Sequence, residues 1–312
     1  MKIGYPCINR SLSCSSARTF RLKSYSQERL IETINNNLIC LLRILEYNVK
    51  NNIFFFRITS DLIPFASHPV CRLNWPEYFF EQLNGIGRFI KKNNIRISMH
   101  PDQFTLINSV SEEICERSVK ELAYHSRLLD TMELDSDAKI QIHLGGVYGN
   151  KILSRQRFLR RYELLPPAVK KRLVIENDES RYALGDCFWV NRRISIPVLA
   201  DFFHHRLNKG SENFKDIFPE VVRTWKKKDG LPMVDYSSAG PNRRRGSHAE
   251  SIDLKDFSLF IKAGCGFDFD IMLEIKDKEQ SALKAVEALR GDKRFYEATD
   301  TNQSNQPEKK GE

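Results

Sequence analysis

No Cys-x-x-Cys pair occurs in the sequence, although seven cysteines are spread over its 312 residues: Cys7, Cys14, Cys40, Cys71, Cys115, Cys187 and Cys265. An odd count at wide spacing argues against a disulfide framework and against a thiolate zinc site, so reduced thiols are expected. No apolar run approaches the roughly 20 residues of a membrane span. Met1–Cys7 is too poor in apolar residues for a secretion signal. A cytoplasmic protein is expected, monomeric and without a membrane partner. Also missing is Gly-x-Gly-x-x-Gly after the first apolar run. The turn there reads Pro6-Cys7-Ile8-Asn9, which argues against a doubly wound dinucleotide-binding sheet. There is no linker and no internal repeat, which favours one domain.

What is present fits a globular chain with a substantial core: 41% of residues are hydrophobic and 29% charged. The net charge of +9 suits a polyanionic partner such as nucleic acid but does not by itself require one. Short apolar runs recur at Ile3–Pro6, Ile53–Ile58, Ile95–Met99, Ile140–Leu144, Leu173–Ile175, Ile196–Ala200, Leu231–Val234 and Phe269–Leu273. Runs apolar on both faces are characteristic of buried parallel strands. Between them, apolar spacings of three and four predict helices at Ser26–Asn51, Pro76–Lys92, Ser111–Met132, Ser154–Leu165, Asn213–Lys228, Leu254–Ala263 and Ser281–Leu289. This alternation predicts an α/β fold, a single (β/α)8 TIM barrel over residues 1–295. A polar tail, 296–312, is expected to be disordered.

Ligand-type side chains fall at the carboxyl ends of these strands. His100 follows the third, His143 lies in the fourth, Glu176 ends the fifth and Asp201 the sixth, with His204 and His205 after it. Asp235 ends the seventh and Glu274 the eighth, while His68 and His248 sit in the loops after the second and seventh. Barrel enzymes assemble their sites on this face. A single such His is more often a hydrogen-bonded structural residue, and a single carboxylate is often a helix cap. So many independent coincidences do not hold together, and clustered carboxylates need compensating charge. A metal site at the carboxyl ends is therefore expected, with two or three divalent ions. Imidazole mixed with carboxylate suits manganese, zinc or iron better than calcium or magnesium alone; Mn2+ is expected, with Zn2+ or Mg2+ as alternatives. His125, in mid-helix, is read as structural or exposed.

The motifs Gly4-Tyr5-Pro6-Cys7, Phe56-Arg57-Ile58, Ile63-Pro64-Phe65-Ala66-Ser67-His68-Pro69 and Ser98-Met99-His100-Pro101-Asp102-Gln103-Phe104 occur in order. His143-Leu144-Gly145-Gly146-Val147-Tyr148-Gly149, Glu176-Asn177-Asp178-Glu179 and Ser247-His248-Ala249-Glu250 follow. Together they resemble the UV damage endonuclease family over roughly residues 2 to 290. The resemblance implies an endonuclease IV-like barrel, a three-metal centre associated with manganese, and a damaged double-stranded DNA partner. It implies incision of the backbone immediately 5′ to UV photolesions, leaving a 3′-hydroxyl. By that resemblance the metal ligands are His68, His100, His143, Glu176, Asp201, His204, His248 and Glu274. Glu176, His143 and Glu274 are the expected catalytic group. Tyr5, Gln103 and Phe104 match residues that probe the duplex, and Asn9 is placed with them. One departure stands out: many relatives read Pro-Lys-x-His where this chain reads Pro232-Met233-Val234-Asp235. Asp235 can still ligate through oxygen, whereas Met233 carries no charge.

Phosphate contacts are expected from Arg243, Arg244 and Arg245, beside His248, and more weakly from Arg57, Arg155, Arg157, Arg160, Arg161 and Lys226–Lys228, although Arg57, at a strand end, fits a buried salt-bridge partner equally well. An abasic-site endonuclease, a metal-dependent sugar isomerase on the same barrel and a non-catalytic damage binder remain open at this stage.

Overall fold

The computed structural model describes residues 1–208, 213–238 and 247–298. Eight parallel strands, β1 Ile3–Pro6, β2 Phe55–Ile58, β3 Arg96–Met99, β4 Lys139–His143, β5 Leu173–Glu176, β6 Val198–Asp201, β7 Met233–Tyr236 and β8 Asp270–Leu273, close in sequence order. β1 pairs with both β2 and β8, so the sheet has no edge. All eight fall on or within one or two residues of the apolar runs.

Helices pack outside. Ser26 caps Gln27–Lys50 by accepting from the Arg29 N–H at 3.2 Å, and Ser111 caps Glu112–Thr131 through Ile114. The helix expected over Pro76–Lys92 is broken at Phe79 into Trp75–Tyr78 and Phe80–Lys92. A helix at Leu184–Ile194 was not anticipated; it opens at Ala183, without a side-chain oxygen for a cap. Tyr296 packs on Phe54 at 4.9 Å and its N–H bonds the Met1 carbonyl.

Because strand side chains alternate, the barrel interior is layered. Lowest lie Arg96, Lys139 and Asp270. Above them Phe55, Val174, Leu199, Met233 and Met272 form an apolar plug with Trp225. Above the plug the filling turns polar: Arg57, Gln141, Glu176, Asp201 and Asp235, all buried. The other parity points outward and builds the larger core against the helices.

One expectation about the cysteines fails. Cys14 and Cys40 form a disulfide with Cα atoms 5.8 Å apart. The loop after β1 folds back onto the first helix, which brings together two cysteines 26 residues apart; spacing alone cannot show that return path. Cys7, Cys71, Cys115, Cys187 and Cys265 are free.

Candidate metal centre and its mouth

Strand register brings the donors together. His143 is level with Glu176, and Asp201 with Asp235. Glu176 is 1% exposed and faces both ways: its Oε2 lies 3.4 Å from His100 Nε2 and its Oε1 3.5 Å from His204 Nδ1. His204 Nδ1 is also 3.3 Å from Asp201 Oδ2, while Asp201 Oδ1 caps the following helix by accepting from the His204 N–H at 2.7 Å. Capping and ligation are thus divided between one carboxylate's two oxygens. Three sets of donor atoms lie within 4.8 Å of one another: His100, His143 and Glu176; Glu176, Asp201 and His204; and Asp201, Asp235 and Glu274. His248 stands beside them, 3.6 Å from Glu274 Oε2.

The titration behaviour is that of a site short of positive charge. Burial would raise the Glu176 carboxyl, but His143 and the hydrogen bonds from His100 and His204 hold it well below the usual range. Burial lifts Asp201 to about 8, against His204 and with the help of Glu176 and Glu274. Burial opposes the His204 proton, yet Asp201 and Glu176 push that ring up to about 11. Burial lowers His143 and His248, so both rings favour the neutral form a metal ligand needs. The buried Nδ1 atoms of His100, His143 and His248 have no hydrogen-bond partner among the described residues. Buried orphan imidazole nitrogens beside shared carboxylates fit a divalent cation centre.

The third donor set differs. Arg57 is 3% exposed, and its Nη2 meets both Asp235 oxygens at 2.7–2.8 Å and Gln141 Oε1 at 2.7 Å, while its Nη1 pairs with Glu274. Burial opposes its charge, but Asp235 and Glu274 hold the guanidinium above its ordinary value. Burial pushes Asp235 upward against Arg57; the guanidinium does not deprotonate and contacts both oxygens, so the pair is ionic. Arg57 is therefore an internal ion-pair partner and not a phosphate contact. Gln141 went unnoticed in the sequence. Its amide donates to Glu176 Oε2 at 2.7 Å and Asp235 Oδ2 at 2.8 Å, and its position two residues before His143 was the available signal.

Other expectations need correction. His68 is exposed on its loop, accepts from the Val70 N–H, and enters none of the three donor sets. Tyr5 is fully buried and level with Phe56 in the outward parity; its hydroxyl donates to Asn48 and accepts from Asn9. Neither Tyr5 nor Asn9, itself 3% exposed, offers a surface to DNA here. Arg155 pairs with Asp186, and Arg157 and Arg161 bond the carbonyls of Ile107, Asn108 and Ser109, so these three brace a loop. Arg160 is exposed. Lys226–Lys228 enter β7 from the opposite end of the barrel. Arg243, Arg244 and Arg245 lie outside the described residues. His125 is buried, with its ring between the Glu121 carbonyl and the Ser60 hydroxyl.

At the mouth, a cavity of about 350 Å3 is lined by Cys7, Arg57, His100, Gln103, His143, His248, Glu274 and Lys278, among others. Gln103 is exposed where it lines this cavity, and the next residue, Phe104, is 72% exposed in the same turn, held by the Phe104 N–H to Asp102 Oδ1. The adjacent loop after β4 needs Gly145: at φ +92 an added Cβ would lie 2.3 Å from Asn108 Oδ1, which accepts from the Gly146 N–H.

Comparison with known proteins decides among the barrel families. The model of the family described as UV-endonuclease UvdE matches residues 1–303. This chain belongs to that family. A UV DNA damage endonuclease of Clostridium perfringens is 40% identical over 292 residues, covering 93% of this chain and 71% of its own. One from Bacillus thuringiensis subsp. konkukian is 32% identical, covering 96% and 98%. The crystal structure of SacUVDE superposes with a TM-score of 0.89 at 45% identity, covering 93% and 98%. Endonuclease IV from Thermus thermophilus reaches 0.54 at 15% identity, covering 81% and 93%, and D-psicose 3-epimerase 0.51 at 12%, covering 80% and 93%. At such identities these last two show the shared barrel alone.

Proposed function

We propose that this UvdE-family chain is a DNA repair endonuclease that cuts the phosphodiester backbone immediately 5′ to UV photolesions. Water is added across the P–O bond, leaving a 3′-hydroxyl and a 5′-phosphate. The observation that carries the reading is Glu176, one buried carboxylate presenting an oxygen to each of two donor sets. His100, His143 and Glu176 would hold one cation, and Glu176, Asp201 and His204 a second, with Glu274 and His248 adjacent. Such ions, Mn2+ by donor type, would neutralise the phosphate and acidify water.

The remaining roles belong to the chain itself. Gln141 fixes the rotation of Glu176 through its amide. Asn177 bonds the backbone N–H and carbonyl of Asp201, locking the fifth and sixth strand ends together. In the third sector Arg57 already supplies positive charge to Asp235 and Glu274, which favours two cations over three. Gln103 lines the cavity and the exposed Phe104 follows it in the same short turn, as a wedge into weakened stacking would. A photolesion lowers the cost of such distortion without requiring base-specific contacts.

The test presents duplexes carrying a photodimer, an abasic site or neither, with and without Mn2+. Selective, cation-dependent nicking of the photodimer strand is expected. Preferential abasic cleavage, or no cleavage of irradiated DNA with Mn2+ present, would overturn the reading.

A further inference from the structure

Lys278 lies between β8 and the Glu279–Leu289 helix, four residues after Glu274. Its backbone has φ 55 and ψ −116, a conformation that disfavours a side chain with a Cβ. The neighbouring contacts hold it there. Its N–H bonds the Ile275 carbonyl at 3.2 Å, and the next residue, Glu279, is fully buried. Glu279 accepts from the Arg10 N–H at 2.8 Å and the Ser11 hydroxyl at 3.0 Å, tying this turn to the loop after β1. The strained turn aims a lysine at the cavity that Arg57, His100, His143, His248 and Glu274 line.

The other lysines of this segment behave differently. Lys276 pairs with Glu250 at 2.9 Å, and Lys284 bonds Ser251 and lies 4.0 Å from Asp277. Both are close to half exposed. Lys278 is half-buried in the cavity lining, yet no ion pair or side-chain hydrogen bond engages its ammonium among the described residues. A partly desolvated ammonium without an anion is costly unless an anionic ligand completes it. Burial accordingly lowers its pKa, against Cys7 and Glu274. Arg57 cannot serve the same purpose, because Asp235 and Glu274 already occupy its guanidinium.

We propose that Lys278 is a phosphate-binding residue of the incision site, donating to a non-bridging oxygen of the backbone phosphate seated in this cavity. The assignment rests on the nuclease reading for the identity of its ligand, and on the cavity geometry for its existence. A charge-assisted bond formed in a partly desolvated site is worth about tenfold or more in affinity.

Binding of inorganic phosphate to the Mn2+-loaded enzyme, measured by calorimetry, tests the site apart from catalysis; cleavage of a photodimer duplex is followed in parallel. Lys278→Gln is expected to weaken phosphate binding at least tenfold and to lower kcat/KM for DNA by at least as much. Bound manganese should be unchanged, and Lys278→Arg should recover most of the loss. Phosphate binding and kcat/KM unchanged in Lys278→Gln would overturn the proposal, as would no phosphate binding by the wild type. If the wild type binds phosphate through Lys278 but cuts no irradiated DNA, the nuclease reading falls and the anion site stands.

Discussion

The two ends of the barrel treat buried charge in opposite ways. At the amino end, Arg96 Nη1 lies 3.3 Å from Asp270 and its Nη2 donates to the Asp229 carbonyl, while Lys139 pairs with Asp229 and donates to the Lys171 carbonyl. The Lys2 N–H completes Asp270. Two cations there face two carboxylates in direct contact, with the Arg96 Nε left without a partner among the described residues. At the carboxyl end Glu176, Asp201, Asp235 and Glu274 crowd together with the Arg57 guanidinium, and the Nδ1 atoms of His100, His143 and His248 have no hydrogen-bond partner among the described residues. One chain builds both ends on the same eight strands, so the imbalance belongs to the site and not to the fold. A closed ionic network fixes a structure; an unbalanced one leaves room for a ligand.

The sharpest way to break this contrast is to change one residue at each end. Glu176→Gln should reduce cleavage of irradiated DNA by well over a hundredfold, more than the loss typical of outer partners of metal ligands, while the metal-free protein melts no lower. A clear fall in its metal-free Tm would place Glu176 with the structural charges instead. At the other end, Asp229→Asn strands Lys139 and should cost about 3–5 kcal/mol of stability, with cleavage per folded molecule unchanged; denaturant unfolding checks it. Reducing the Cys14–Cys40 bond should cost about 3.5 kcal/mol, on the chain-entropy estimate for a loop of this length. Phe104→Ala should leave stability unaltered but weaken discrimination of damaged from intact duplex about tenfold, near the value of one lost base-stacking contact; competition binding reads this out.

The pH dependence sharpens the comparison further. Asp201 is raised from 3.8 to about 8, so in metal-free protein it contributes stability fully present below its unfolded value. That contribution is lost as pH rises through the folded value. A bound cation removes the repulsion that holds the proton. The Tm gained on adding Mn2+ should therefore grow from pH 5 to pH 8, and a gain independent of pH would contradict the assignment.

The barrel was legible in the sequence because parallel strands buried on both faces read as unbroken apolar runs. The candidate donors were visible because six of the eight runs, the third to the eighth, lead into a His or carboxylate. What failed was parity and long-range return. Tyr5 stands one residue from the inward set, beside outward Phe56, and so packs against the Gln27–Lys50 helix instead of the mouth. His68 lies in a loop, where spacing from a strand end fixes neither direction nor burial. Gln141 points inward from mid-strand, and a ligand search among His, Asp and Glu passes over it; Arg57 read equally as a phosphate contact or a buried ion-pair partner, and its contact with Asp235 decides for the second. Lys278 depends on a left-handed backbone turn that no side-chain pattern announces. The break at Asp235 was visible, but its consequence needed the Arg57 contact.

If Glu176 joins two cation positions while Arg57 fills the third, elemental analysis of the Mn2+-reconstituted, dialysed protein will find two manganese ions per chain. Finding none, or three, would rule that arrangement out.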